Sequence, residues 1–390
     1  MEPCPYLNAR RDPCPTREPG DLFCSKCGKE YDSAQDDAGS IEKATTTPAA
    51  ATIVEVEPPK TEQAAAVAIQ VPEEADNIRH YIAPKCVGCN ADSSNFDEDG
   101  FCTKCWVQAV LPCRDDFFIE VTPNIVARSN LGNPTIGHSR NEDYAAMDSV
   151  VVDGKRISWF VVADGVSSSK APQQASEEAC RAASATLRIA ALSRQKGSEG
   201  LVLAAINSAQ SAVLKVPAEL NADADFSAPA CTIIVAFIDD GVASLGWCGD
   251  SRLYAIYRDS TASCGYSDKL LSRDHTLLNE MIDQTGVSAA EAYKKFTTKE
   301  LHTMTQCLGE VPEGEIYAPS TSTVTIDSTL VSIFGCSDGA WNDVHDMDLP
   351  QSGEFAKIFA SNPRSAMGFA EAVLKRASGA DNNTIAVINF

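Results

Sequence analysis

The chain has 390 residues, 44% of them hydrophobic, so it can form one large core with smaller modules beside it. A net charge of −22 disfavours nucleic acid and anionic membranes as general partners. Apolar runs such as TIIVAFI at 232–238 are too short to cross a bilayer, and the first residues lack a secretory-signal pattern, which predicts a cytoplasmic protein with no membrane contact.

Residues 1–31 contain the first of two groups of four cysteines. An odd total of 15 cysteines, without an export signal, favours thiolate metal ligands over a disulfide framework. The first group has the spacing C-x9-C-x9-C-x2-C and consists of Cys4, Cys14, Cys24 and Cys27. A C-x2-C turn lets two sulfurs reach one ion, so the group predicts a structural Zn²⁺ module. A redox pair or unrelated cysteines are the alternatives.

Residues 32–79 are predicted to be an acidic linker rich in Ala and Pro. Within 32–76 there are ten acidic and two basic residues, eleven Ala, four Pro, and no Cys, Phe, Tyr or Trp. Such a composition buries too little apolar surface to fold. The modules on either side are therefore expected to be tethered rather than packed together.

Residues 80–113 contain the second group of cysteines. Its spacing is C-x2-C-x12-C-x2-C, and its members are Cys86, Cys89, Cys102 and Cys105. Two matched C-x2-C turns are typical of a zinc ribbon with four thiolates around one ion. The segment has few apolar residues, so the second structural Zn²⁺ would supply its folding free energy.

A larger α+β domain is predicted from residue 117 to 390. Strands are expected in FFIEVTPNIVARS, YAAMDSVVV and ISWFVVADG, and helices over 173–192 and 200–215. CTIIVAFIDDGVASLGWCGDSRLYAIY predicts a hairpin and then a third strand. STVTID and TLVSIFGCSDG predict a further strand pair, SAMGFAEAVLKRAS a helix and NTIAVINF the last strand. This order favours antiparallel sheets covered by helices.

Acidic residues recur where these strands begin or end. They are Glu142, Asp143, Asp164, Asp250, Asp338 and Asp381, and several have a neighbouring glycine. Any one of them could be an ordinary turn residue, because Asp-Gly is common in turns. Gathered at one edge of a core, they would repel one another unless divalent cations neutralised them. Ligands that are all oxygen favour Mg²⁺ or Mn²⁺ over Zn²⁺.

From about residue 120 the chain resembles the protein phosphatase 2C family of metal-dependent serine/threonine phosphatases. The matching blocks, in family order, are NED, VVADG, PACTII, GWCGDSRLY, LLSRDHTLL, TQCLGE, GCSDGAWNDV and DNNTIAVINF. The resemblance implies an α-β-β-α sandwich, in which two antiparallel sheets are flanked by helix pairs. It also implies a site for two Mn²⁺ or Mg²⁺ ions, with a third, weaker one, at one end of the sandwich.

The resemblance also implies roles for individual residues. Asp164 would bridge the two ions, and the Gly165 carbonyl would complete one shell together with Glu142. The other shell would be completed by Asp338 and Asp381. Two further positions are implied as a supporting ligand and as a ligand of the third ion, namely Asp143 and Asp250. The nucleophile would be a hydroxide between the ions, so no catalytic cysteine is needed.

The sequence departs from the family pattern at two places near these residues. Where many members have a phosphate-binding arginine, this chain has His138, and Arg140 or Arg128 could supply the missing charge. His138 itself either binds phosphate, acts as an acid or is a structural residue. After Gly165, residues 166–169 are VSSS instead of the usual His or Met and two glycines. This removes a histidine that acts as the general acid in some members.

Two other segments of the resemblance lie outside the implied set of metal ligands. The RDH block of Arg273, Asp274 and His275 is interpreted as structural. Residues 283–302 correspond to a variable flap, whose Lys294, Lys295 and Lys299 either help to bind phosphorylated substrates or form a solvated helix face.

The favoured function is an active, signalling phosphoserine/phosphothreonine phosphatase whose zinc modules target it to partners. Its partners would be a phosphorylated protein, including a serine/threonine kinase of the same pathway, and the chain is expected to be a monomer. The alternative is a weak or inactive phosphatase-fold adaptor that binds partners through its zinc ribbons. The retained acidic set favours the enzyme, since an adaptor has no chemical need for it.

Overall fold

The computed structural model describes part of the chain, which divides into two compact units, Met1–Ala68 and Ile69–Phe390. All described residues belong to the second unit: 79–81, 89, 91, 103–104, 115–133, 136–138, 140–216, 228–311, 316–344 and 353–390. The first cysteine group and nearly all of the predicted linker lie outside them. Of the second cysteine group only Cys89 is described, and it is exposed. Apart from Cys89, the cysteines of the zinc predictions therefore lie outside the described residues.

The described strands are numbered in chain order and form two sheets. They are β1 Arg79–Tyr81, β2 Asp116–Thr122, β3 Ile125–Asn130, β4 Tyr144–Val152, β5 Lys155–Ala163, β6 Ile233–Asp239, β7 Val242–Cys248, β8 Arg252–Arg258, β9 Tyr266–Leu270, β10 Ser320–Thr325, β11 Leu330–Cys336 and β12 Asn383–Asn389. One sheet has the order β1-β2-β3-β12-β11-β8-β9 and the other β10-β7-β6-β5-β4. Within each sheet, all neighbouring strands are antiparallel.

The described helices are numbered in the same way. They are α1 Pro172–Leu192, α2 Glu199–Val213, α3 Leu277–Thr285, α4 Ala289–Ala292, α5 Thr298–Leu301, α6 Asp338–Trp341, α7 Glu354–Ser361 and α8 Ala366–Leu374. The predictions for 173–192 and 200–215 match α1 and α2 closely. Both helices lie against the five-stranded sheet, whereas α7 and α8 cover the seven-stranded sheet.

Three apolar clusters show that these elements form four layers. One cluster lies between the two sheets and includes Phe160 and Ile333. A second joins the five-stranded sheet to α1 and α2, for example through Trp159 and Leu187. A third joins the seven-stranded sheet to α6, α7 and α8, with Phe334 at its centre. The expected α-β-β-α sandwich is thus the observed arrangement of the described residues.

Strand β5 shows why its second half, Trp159–Ala163, is entirely apolar. Trp159 and Val161 face the helices, whereas Phe160 and Val162 face the other sheet. Successive side chains of a strand point to opposite faces, so a strand with both faces covered needs an uninterrupted apolar run.

The predicted DDG hairpin is confirmed at the turn between β6 and β7. Asp239 pairs with Val242, which leaves Asp240 and Gly241 as a two-residue loop. Both have a positive φ, 45° and 80°. This is the backbone of a type I′ turn, in which Asp-Gly is favoured because glycine adopts positive φ without strain.

The predicted pairing of STVTID with TLVSIFGCSDG is wrong. Both segments are strands, but β10 pairs with β7 in one sheet and β11 pairs with β8 and β12 in the other. The reason lies in their burial. All residues of β11 are buried, so it needs neighbours on both sides, whereas the Ser- and Thr-rich β10 is half exposed and suits a sheet edge.

The seven-stranded sheet also includes a strand from before the predicted start of the domain. Strand β1 pairs with β2, with Arg79 opposite Ile119 and Tyr81 opposite Phe117. The chain just before the second cysteine group is therefore part of this sheet.

Candidate active site

Antiparallel pairing in the five-stranded sheet brings two of the predicted acidic positions together. Tyr144, at the start of β4, pairs with Ala163, at the end of β5. The residues next to this pair, Asp143 and Asp164, therefore lie at the same edge of the sheet.

The seven-stranded sheet presents a corresponding end. Cys336, the last residue of β11, pairs with Arg252 at the start of β8 and with Ile385 near the start of β12. Asp338 follows β11 and Asp381 precedes β12, so both lie at this end.

A hydrogen-bonded hydroxyl joins the ends of the two sheets. Ser337 Oγ donates to Asp143 Oδ2 at 2.7 Å and accepts from the backbone N–H of Thr384 at 3.0 Å. The start of β4 is thereby connected to the end of β11 and the start of β12. The acidic residues of both sheets consequently share one edge of the sandwich.

The backbone of Asp164 is held from both sides by Thr232. The N–H of Asp164 donates to Thr232 Oγ1 at 3.1 Å, and the N–H of Thr232 donates to the Asp164 carbonyl at 2.7 Å. Thr232 Oγ1 also lies 2.7 Å from Ser251 Oγ. These bonds fix the direction in which the Asp164 side chain leaves β5.

The electrostatic surroundings of Asp164 show how close the other aspartates are. Burial raises its pKa well above the usual value, and the negative charges of Asp143, Asp338, Asp381 and Asp250, in that order, raise it further. Such effects place the five carboxyl groups close to one another; Asp143 is fully buried, whereas the Asp381 side chain remains 43% exposed.

Three of the neighbouring aspartates are perturbed in the same direction. Burial raises the pKa of Asp143 to about 7, that of Asp250 to about 8 and that of Asp338 to about 6. For Asp250 and Asp338, nearby negative charge is the next largest cause. Burial and mutual repulsion thus disfavour the ionised form of these groups, and a cation beside them would favour it.

The donor atoms at this edge fit hard divalent cations. The carboxyl oxygen Oδ1 of Asp143 is buried without a hydrogen-bond partner among the described residues. Apart from His138, the side chains gathered here offer oxygen atoms, which Mg²⁺ and Mn²⁺ prefer.

Within the described ranges, no three His, Cys, Asp or Glu side chains already have a geometry that could hold a metal ion. The assignment of a metal site therefore rests on the oxygen atoms that these residues offer and on the mutual effects of the aspartates on their pKa values.

Glu142 lies beside the aspartates and has its backbone fixed on two sides. Its N–H donates to Asn382 Oδ1 at 2.7 Å, and its carbonyl accepts from the N–H of Gly165 at 3.2 Å. Its carboxyl oxygen Oε2 accepts from Ser167 Oγ at 2.7 Å. Glu142 is thus held between the segment after β5 and the segment before β12.

His138 lies between two of the predicted ligands. Its Nδ1 is 3.6 Å from Glu142 Oε2, and its Nε2 is 3.2 Å from Asp381 Oδ1. The imidazole is partly exposed, so it faces both the carboxylates and the solvent side of the edge.

The two arginines considered for phosphate binding differ in their surroundings. Arg140 is exposed and makes no ion pair with a described residue. Arg128 is instead paired with Asp116 and donates to the carbonyl of Phe117 at 3.0 Å, which occupies its guanidinium on β2. Of the two, only Arg140 has a free guanidinium in the described part of the chain.

The RDH block has the structural role predicted for it. Asp274 forms a bidentate ion pair with Arg252, at 2.7 to 3.0 Å, and both side chains are buried. His275 Nδ1 accepts from the N–H of Gly249 at 3.1 Å, and its Nε2 lies 2.9 Å from Ser320 Oγ. These contacts connect the block to the chain next to Asp250.

The predicted flap is a small helical unit with its own apolar contacts. Leu278, Ala292 and Leu301 are buried against one another, and Tyr293 and Phe296 pack against them. The lysines of this segment are exposed, as both interpretations of them require: Lys294, Lys295 and Lys299.

Several residues that shape this edge were not singled out in the sequence. Ser337, Thr232, Asn382 and Ser167 each hold one of the acidic residues by a hydrogen bond. Ser337 and Asn382 lie beside the predicted Asp338 and Asp381, and Ser167 follows Gly165 by two residues, which was the available signal; Thr232 in ACTII had no acidic neighbour in the sequence. Small hydroxyl and amide residues are common in turns, so that signal alone identifies no role.

Comparison with known proteins gives a family match. The protein phosphatase 2C family model matches residues 137–367, more than half of the chain. Asp381 lies beyond the matched residues. Among curated proteins, none matches the chain.

Solved phosphatase structures are similar to this chain. Serine/threonine phosphatase Stp1 from Staphylococcus aureus is 14% identical with a TM-score of 0.50, covering 69% of this chain and 95% of that one. The S. agalactiae serine/threonine phosphatase is 19% identical with a TM-score of 0.47, covering 67% and 96%. The catalytic domain of the phosphatase PstP, in complex with 2 manganese ions, is 20% identical with a TM-score of 0.44, covering 68% and 96%.

None of the helices in the described part of the chain combines the length and the apolar character needed to cross a bilayer.

Proposed function

Because this chain belongs to the protein phosphatase 2C family, and is therefore a protein serine/threonine phosphatase, we propose that it hydrolyses phosphoserine and phosphothreonine with divalent cations held at the acidic edge. The observation that carries this proposal is the grouping of five aspartates at this edge, since burial and the negative charges of the other four raise the pKa of Asp164. Such a cluster is stable in its ionised form only with cations beside it.

Two Mg²⁺ or Mn²⁺ ions would be held by the chain's own residues. Asp164 would contribute to both ions, Glu142 and the Gly165 carbonyl to one of them, and Asp338 and Asp381 to the other. Asp143, whose carboxylate accepts a hydrogen bond from Ser337, would support this site, and Asp250 would join Asp338 at a third, weaker site.

Bound divalent cations supply charge neutralisation for the phosphoryl group and activation of a water molecule at neutral pH. The hydrogen bonds of Thr232 to Asp164 and of Asn382 to Glu142 hold the backbone of these two proposed metal ligands in place. Cysteine chemistry is not required. Burial raises the pKa of Cys231 and Cys248, which keeps these thiols protonated and poorly nucleophilic.

His138 and Arg140 are the candidates for contact with the phosphate. The imidazole of His138 lies 3.2 Å from Asp381 Oδ1 and is partly open to solvent, so it can donate a hydrogen bond or a proton near the leaving oxygen. Arg140 is exposed, follows His138 closely in the sequence and carries a permanent positive charge.

The proposed activity is tested by hydrolysis of a phosphothreonine peptide. We expect release of phosphate that depends on added Mn²⁺, stops on chelation and resists inhibitors directed at catalytic cysteines. Purified Asp338→Asn protein is the control. Equal, background-level rates for both proteins would contradict the enzyme and favour the phosphatase-fold adaptor.

The N-terminal cysteines are proposed to form two structural Zn²⁺ modules that target the enzyme to a partner in the cytoplasm. Their spacing supports this, since two C-x2-C turns at 86–89 and 102–105 suit one tetrahedral ion. A serine/threonine kinase of the same signalling pathway is the proposed substrate class, and the chain is proposed to act as a monomer.

Elemental analysis of protein purified without chelator tests the zinc proposal. We expect two equivalents of zinc per chain, and one equivalent after replacement of Cys86 and Cys89 by serine. Protein that is fully active but contains no zinc would refute the modules without affecting the phosphatase proposal.

A further inference from the structure

The segment after Gly165 departs from the family pattern, and one of its serines touches a proposed metal ligand. Ser167 Oγ donates to Glu142 Oε2 at 2.7 Å. Ser167 is itself exposed, so burial of its side chain does not explain its position.

The turn that carries Ser167 is fixed to a neighbouring segment by backbone and side-chain bonds. The N–H of Val166 donates to the carbonyl of Ala230 at 3.0 Å, and the N–H of Ser169 donates to the carbonyl of Val166 at 2.7 Å. The buried Ser169 hydroxyl accepts from the N–H of Ala230 at 3.2 Å and lies 3.3 Å from its carbonyl. The backbone of Ser167 is therefore held close to Glu142 rather than free to move away.

Glu142 has a fixed backbone and a side chain with fewer constraints. Its N–H and carbonyl are occupied by Asn382, Gly165 and the Ser176 hydroxyl. At its carboxyl group, the Ser167 hydroxyl is the closest donor among the described residues, and His138 Nδ1 lies further away at 3.6 Å. The Ser167 bond thus determines which way the carboxylate faces.

We propose that Ser167 is a positioning residue that orients the Glu142 carboxylate towards its divalent cation. The proposal rests on the proposed function, because it requires Glu142 to be a ligand. With Oε2 held by the hydroxyl, Oε1 would be left to contact the cation from a side chain already in one rotamer. Hydrogen bonds from outside a metal shell orient ligands in this way, and their loss typically weakens metal affinity by about 10- to 100-fold.

Mn²⁺ binding to the full-length, Mn²⁺-free protein is the test, with free Mn²⁺ measured by electron paramagnetic resonance. We expect Ser167→Ala to weaken one of the two main sites by about 10- to 100-fold and to leave the other nearly unchanged. Ser211→Ala is the matched control, because this exposed hydroxyl bonds only the Asn207 carbonyl of its own helix. It should bind as the wild type does.

Two further comparisons separate positioning from a general effect on the turn. Ser167→Thr keeps the hydroxyl and should retain affinity, whereas Ser167→Val has the same shape without it and should lose affinity. In a Glu142→Gln background, Ser167→Ala should cause no additional loss, because contacting residues that act together are not additive.

Each result bears on one of the two proposals. Wild-type protein that binds neither Mn²⁺ nor Mg²⁺ would overturn the proposed function and this inference with it. If the wild type binds and hydrolyses normally, equal affinities for the Thr and Val variants would overturn the role of Ser167 alone. A full additional loss in the Glu142→Gln background would also overturn it.

Discussion

Replacing Asp164 with asparagine is expected to lower Mn²⁺-dependent phosphatase activity by at least about a hundredfold. Loss of a group that only orients a ligand typically costs about 10- to 100-fold, so loss of the proposed bridging ligand should cost no less. The kcat of the purified variant at saturating Mn²⁺, measured with a phosphothreonine peptide, checks this.

The same substitution is expected to raise the Tm of the protein in the presence of chelator. Burial and four neighbouring aspartates raise the pKa of Asp164 in the fold, so at pH 7 its ionisation is less favourable in the folded than in the unfolded chain. Asparagine removes this cost, and each kcal/mol should appear as about 2–4 °C. A stability cost that accompanies function is common at active sites.

Asp240→Asn is the matched control for both measurements. Asp240 also precedes a glycine after a strand, but it is exposed and paired with Lys155. Its replacement should change neither kcat nor the Tm measurably. Retention of activity by Asp164→Asn, with the control also active, would contradict the assignment of Asp164 as a ligand.

The largest expected effect on stability follows from the buried ion pair beside this edge. Arg252→Met is expected to lower the free energy of unfolding by about 3–5 kcal/mol, because it leaves the Asp274 carboxylate buried without its partner. The guanidinium also lies 3.5 Å from the centre of the Trp341 ring, a favourable contact that methionine does not replace. Urea unfolding of the metal-free protein measures the change.

The Arg252 substitution should also affect the site through Trp341. The indole N–H of Trp341 donates to the carbonyl of Asp250 at 3.2 Å, so a shift of the ring moves the chain at the proposed third ion. The double variant Arg252→Met, Asp274→Leu should recover part of the stability, since no buried charge remains. Lys155→Met, in an exposed pair, should show no measurable change, and an equally small change for Arg252→Met would refute the argument.

Much of the larger domain could be predicted because its signals are local. The apolar run of β5 and the Asp240–Gly241 turn each follow from the preferences of a few adjacent residues. The acidic residues could be recognised at strand ends for the same reason. The partners of two strands could not, since β10 and β11 are adjacent in the chain and yet belong to different sheets.

The sequence by itself determined most of the strands, the two long helices, the acidic positions and the family to which they are similar. Only the tertiary structure decided that Asp143, Asp164, Asp338 and Asp381 lie together at one edge, because they are brought together by sheet order and register. It also decided that Ser167 touches Glu142. Such contacts join residues distant in the chain, and their geometry depends on the packing of two sheets rather than on local backbone preferences.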